Sequence, residues 1–173
     1  MLRAEEERLA RRADVSLLIA QPEVDLFRSR LPDDLASCVD VRVVGNGIDS
    51  QGFDPARVSP ARHMAGYPEP RLIFTGQMDY MPNIAAAERV IERILPQIRA
   101  DLPDASFHVV GRNPPAALLD RHGRDGVFVW GRVDDIRPWL KGATLALVPL
   151  DIARGVQNKV LEAMAMELPV VLT

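Results

Sequence analysis

One cysteine, Cys38, in 173 residues rules out an internal disulfide and suits a reducing compartment. Histidine is almost as scarce. His63, His108 and His122 are far apart, no Cys/His cluster exists and Asp-x-Asp occurs nowhere, so no metal centre is expected. G-x-S-x-G and G-x-x-x-x-G-K-[ST] are missing too, which removes the usual signals of a serine hydrolase and of a P-loop nucleotidase. There is no basic surplus: 21 Lys and Arg stand against 24 Asp and Glu, a net charge of −3, so nucleic acid is not the expected partner. The longest apolar run, Leu145 to Leu150, is too short to cross a bilayer, and no signal peptide opens the chain. These absences point to a cytoplasmic protein.

What is present is ordinary globular material, 47% hydrophobic and 26% charged, enough for one domain or one domain plus part of another. Residues 2–12 pair Glu5 with Arg8 and Glu7 with Arg11 at helical spacing and predict an exposed helix. Strands are expected at 15–20 and 39–45, with a short helix at 22–30 whose first turn accepts Pro22. GNGIDSQGFDP, 45–55, opens a stretch rich in Pro, Gly and polar residues that runs to Pro70 and reads as a domain boundary.

Beyond Pro70 the pattern turns regular. RLIFTG (71–76), SFHVVGR (106–112), GVFVWGRV (126–133), TLALVPL (144–150) and LPVVLT (168–173) read as strands. Helices are expected at 83–103, 115–123 and 134–143, and within RGVQNKVLEAMAMELPVV. Along 83–103, Ile84, Ala87, Val90, Ile91, Ile94 and Leu95 fall on one side. Strand, glycine and helix in repetition define α/β architecture: a Rossmann-like, doubly wound parallel sheet whose apolar strands are covered on both faces. The chain ends on a strand, and the two early strands have no evident sheet. A fragment of a larger two-domain protein is therefore expected, with the unpaired early strands inviting a homodimer.

Ligands of such sheets bind beyond the carboxyl ends of the strands. That rule aligns Gly76, Gly111–Arg112, Gly131–Arg132, Leu150–Asp151 and the start of the helix in RGVQNKVLEAMA along one crevice. Gly155, Val156 and Gln157 would offer N–H groups to an anion at a helix start, with Lys159 adding a charge one turn in. Glu162 lies deeper, where a carboxylate suits a ribose diol. Asn158, Lys159 and Glu162 share one side of the helix. Lys159 and Glu162, three apart, equally have the spacing of a solvated ion pair worth about 0.3 kcal/mol. His108, inside a strand, is expected in the core, and Trp130 and Trp139 as packing residues, with base stacking the alternative for Trp130 beside Gly131.

LEAMAMELPVV resembles the nucleotide-binding signature of retaining glycosyltransferase family 4, enzymes of the GT-B fold. VVGNGIDSQGFDP (43–55), LIFTG, HVVGRNP and VFVWGRVDDIRPWLKGATLALVP resemble that family's other landmarks in order, and ARGVQNKVLEAMA with TGQMDYMPN is most similar to its bacterial exopolysaccharide, PEP-CTERM-associated subgroup. The resemblance implies an acceptor-domain tail at 1–46, an interdomain linker at 47–69 and a nucleotide-sugar donor domain at 70–173. It implies a nucleotide-diphosphate sugar as substrate rather than a cofactor, a glycan or lipid-linked acceptor, retention of configuration, and peripheral contact with the inner face of the membrane. It places Arg112, Gly131 and Arg132 on the base side, and leaves the catalytic residues unassigned. A nucleotide-sugar 2-epimerase and a non-catalytic nucleotide-binding module are the alternatives.

Two departures from the family pattern stand out. Arg154 occupies the place of the first of two signature glutamates, while Glu162 matches the second. The loop GQMDYMPN, 76–83, lacks the family's basic pair. Arg154 and Lys159 are accordingly expected to take over the diphosphate.

Overall fold

The computed structural model describes residues 2–151 and 156–173. The chain divides into two compact units, with the boundary between Gly47 and Ile48.

In the first unit, helix α1 (Leu2–Ala10) is followed by strand β1 (Ser16–Leu18), helices α2 (Gln21–Arg30) and α3 (Asp33–Ala36), and strand β2 (Val41–Val43). Ala10, Leu31 and Leu35 form its small core with Phe27, Ala36 and Val39 packed around them. The Glu5–Arg8 and Glu7–Arg11 pairs form as their spacing predicts. The early strands are not without a sheet: β1 and β2 pair with each other in parallel, Ser16 opposite Val41 and Leu18 opposite Val43. The α2 crossover supplies the length a parallel pairing requires, a connection that strand-by-strand reading does not register.

The second unit is built on a five-stranded parallel sheet: β3 (Arg71–Thr75), β4 (Ser106–Val110), β5 (Val127–Gly131), β6 (Leu145–Val148) and β7 (Val170–Leu172), in the order β5-β4-β3-β6-β7. Strand alternation sends Leu72, Phe74, Phe107, Val109 and Leu147 into one core, and Ile73, Val110 and Ala146 into the other. Both faces of the central strands are thus dry, which explains their near-continuous apolar sequences, while Val171 and Leu172 of the edge strand β7 are exposed. The helices of this unit are α4 (Arg62–Ala65), ahead of the sheet, and α5 (Met81–Arg89), α6 (Leu95–Asp101), α7 (Ala116–Leu119), α8 (Arg137–Gly142) and α9 (Asn158–Ala165).

The helix expected over 83–103 is broken by a π turn at Val90–Ile94, where the Leu95 N–H reaches back to the Val90 carbonyl. Pro96 lies just beyond. It has no N–H to give, and its ring would collide with the carbonyl four residues back, so a widened turn accommodates it. Residues 48–69, within the linker expected at 47–69, fold as part of the second unit. Ala61 and Met64 enter its core with Phe53 and Val58 beside them, the Ala61 N–H bonds the Pro138 carbonyl at 2.8 Å, and Arg137 reaches the Gly52 carbonyl at 2.8 Å.

His108 is fully buried, as expected for a core residue. The Trp130 indole N–H donates to its Nδ1 at 3.0 Å, so its own proton sits on Nε2 and faces the Ser106 Oγ at 2.9 Å. Burial, with the Arg71 charge second, lowers its pKa from 6.5 to about 4. The unfolded chain therefore binds more protons than the native one between those values. The stability His108 contributes is complete above pH 6.5 and lost as pH falls towards 4, by about 3 kcal/mol at most. Urea unfolding of the wild type and of His108→Phe should show a shallower acid loss in the variant; parallel pH profiles would contradict the assignment.

Candidate functional site

Strand order reverses between β3 and β6, so their outgoing segments depart to opposite faces and leave a crevice at the carboxyl ends. The ladder continues past the strands: Gly76 N–H bonds Val110 O at 3.1 Å, Met78 N–H bonds Arg112 O at 2.8 Å, and Gly111 N–H bonds Gly131 O at 2.8 Å. Three glycines expected in the crevice are thereby drawn together. Gly76 has φ +156°, which side-chain-bearing residues rarely adopt, and a Cβ there would lie 2.9 Å from the Asn83 amide nitrogen and 3.1 Å from Lys159 Nζ.

Lys159 thus does reach Gly76 from α9. Its ammonium donates to Asn83 Oδ1 at 2.7 Å and sits 4.5 Å from the centre of the Phe74 ring, a cation–π contact. Burial lowers its pKa from 10.5 to about 8, against the pull of Glu162. Burial raises the Glu162 carboxyl above its ordinary value, partly offset by Lys159. The two groups influence each other through space, and no ion pair between them forms within 4.0 Å among the described residues. The solvated-pair alternative is therefore not what the geometry contains.

Sequence reading missed Asn83. It is 7% exposed, and its Nδ2 donates to the Gln77 carbonyl at 2.9 Å. Its only signal was a polar residue on the inward side of an otherwise apolar helix. The 76–83 loop is also tied to the β4 loop: Arg112 donates to Gln77 Oε1 at 2.6 Å, and Asn113 donates to Asp79 Oδ2 at 2.8 Å. That second bond is the largest influence holding the Asp79 carboxyl below its usual value. Arg112 therefore braces the loop, while Arg132 is exposed. Arg89 of α5 pairs with Asp151, just after β6.

Other expectations require correction. The helix opens at Asn158, with Gln157 as its N-cap, so it starts three residues later than expected. Val156 lies ahead of the helix and is exposed, and so is Met164 within it, although the sequence around it is apolar. Arg154 and Gly155 lie outside the described residues.

A Rossmann-like domain with a desolvated cation and a half-buried carboxylate at its switch point is what fold and crevice define. The chain belongs to the family described as glycosyl transferases group 1, whose model matches residues 69–173. Among solved structures, HepE of Anabaena in complex with UDP is 15% identical, with a TM-score of 0.72 over 99% of this chain and 49% of its own. The pneumococcal O-GlcNAc transferase GtfA, in complex with UDP and GlcNAc, is 13% identical, with a TM-score of 0.70 over 98% of this chain and 31% of its own. WaaG, a glycosyltransferase involved in lipopolysaccharide biosynthesis, is 19% identical, with a TM-score of 0.66 over 90% of this chain and 43% of its own. At these identities the likeness is one of fold, that of the GT-B glycosyltransferases. The chain spans less than half the length of each. No curated protein sequence matches it. Among the described residues, no helix is long and apolar enough to cross a membrane.

Proposed function

We propose that the second unit is the donor-binding half of a retaining glycosyltransferase of hexosyltransferase type, using a nucleotide-diphosphate sugar. In this reading residues 1–46 close an acceptor domain, 47–69 connect the domains, and 70–173 hold the donor. The acceptor is a glycan or lipid-linked sugar of cell-surface or exopolysaccharide synthesis, handled in the cytoplasm at the inner face of the membrane. The carrying observation is the convergence of Gly76, Asn83 and Lys159 at the switch point, with Glu162 further along the same helix. A diphosphate needs a cation and close backbone approach, and a ribose diol needs a carboxylate. The family match and the UDP held by HepE and GtfA support the same reading.

During transfer, the bond from the anomeric carbon to the β-phosphate oxygen breaks, its electron pair staying on that oxygen, and the acceptor oxygen bonds to the carbon while its proton passes to solvent. The departing oxygen gains negative charge, which the Lys159 ammonium is placed to stabilise. Arg154 is assigned to the same phosphate from its sequence position.

Calorimetric titration with UDP and GDP tests the reading. Binding of at least one is expected, with Arg154→Ala weakening it about tenfold, the loss of one charge-assisted contact. Unchanged affinity in the variant would remove Arg154 from the site, and binding of neither nucleotide would overturn the reading itself.

A further inference from the structure

Asn83 stands where the two segments leaving the switch point meet. Its Nδ2 is committed to the Gln77 carbonyl of the β3 loop, and its Oδ1 to the ammonium of Lys159 on α9. The two bonds fix the amide's orientation, since a donor is needed on one side and an acceptor on the other. Gly76 supplies the bare backbone against which both groups rest, and the Phe74 ring supports the ammonium from the side. Among the described residues Asn83 is the ammonium's one hydrogen-bond partner, and that partner is neutral. The cation is held in place without being neutralised.

We propose that Asn83 is a positioning residue for a nucleoside diphosphate: it fixes the Lys159 ammonium at the Gly76 turn through an uncharged carbonyl, leaving its charge and remaining N–H groups to the anion. This rests on reading the crevice as a nucleotide-diphosphate site. An aspartate at this position would reverse the arrangement. It would present an acceptor to the Gln77 carbonyl, and it would pair with the lysine, spending the charge that the phosphate requires.

The arrangement has a proton signature. The groups facing Lys159 from β3, the turn after it and α5 (Phe74, Gly76, Asn83) carry no charge, and among the described residues Glu162 on its own helix is the one charged group acting on it. With its pKa lowered to about 8, the lysine is partly neutral at pH 8.5. An arriving diphosphate favours the charged form and draws a proton from solvent.

Calorimetry of the 173-residue chain with UDP and GDP at pH 8.5, in two buffers of different ionisation enthalpy, measures that uptake. The wild type should take up a fraction of a proton. Asn83→Asp should bind at least tenfold more weakly with no uptake, its lysine already held charged. Asn83→Ala, which neither anchors nor pairs the lysine, should bind several-fold more weakly with uptake retained. Lys159→Arg should bind without uptake, which keeps the test decisive should Asn83→Asp fail to fold. Wild-type affinity in both Asn83 variants, or uptake undiminished in Lys159→Arg, would overturn the proposal while leaving the donor-site reading intact. Binding of neither nucleotide by the wild type would overturn the donor-site reading and the proposal with it.

Discussion

Gly111→Ala should destabilise the second unit by about 3 kcal/mol or more, at the upper end of single-residue effects. An added Cβ would lie 1.6 Å from the Gly76 carbonyl oxygen and 2.7 Å from its carbon. These are backbone atoms, and no side-chain rotation can relieve the collision. Neither segment is free to withdraw, because Gly76 is bonded to Val110 and Gly111 to Gly131. The strands must separate at their carboxyl ends, and the crevice opens with them. Gly66→Ala is the control: a Cβ there meets nothing within 4 Å, so the change should be near neutral. Comparable urea midpoints for the two variants would show that the close approach is not real.

Lys159→Met should weaken UDP or GDP binding about fifty-fold, the effect of deleting a desolvated cation that meets a phosphate through charge-assisted hydrogen bonds. Stability at pH 7 should hold or rise slightly, since methionine fills similar space without the cost of burying an ammonium. The lysine's native pKa lies below its unfolded value, so the unfolded state binds more protons between about 8 and 10.5. Its contribution to stability therefore grows as pH rises through that window, and the methionine variant should lose that growth. A variant with full affinity and the wild-type alkaline profile would place the ammonium outside the site.

Legibility from the sequence followed the range of the interactions. The five strands of the second unit were readable as unbroken apolar runs, which burial on both faces explains in RLIFT and SFHVV. The pairing of β1 with β2 was not, because a pairing across an intervening helix leaves no local mark. Lys159 and Glu162 could be picked out as polar interruptions of an apolar helix, and Gly76 by its place after a strand. Asn83 could not, because its importance comes from a bond to Lys159, 76 residues away. The start of α9 was misplaced because Gly155 is a plausible opening on local grounds, while the observed cap is Gln157, which makes no side-chain capping bond.

The parallel ladder of the second unit also bears on how the crevice comes into being. Each of its strand pairings joins segments separated by a crossover, so none of them can form early as a local hairpin. Loop-closure entropy must be met before these contacts reward it, which makes assembly slow. Gly76, Asn83, Gly111 and Lys159 converge only once β3 has docked between β4 and β6. A chain that has paired β3 with β4 alone brings Gly76, Asn83 and Gly111 together but lacks the cation, so a ligand that needs Lys159 selects the completed sheet.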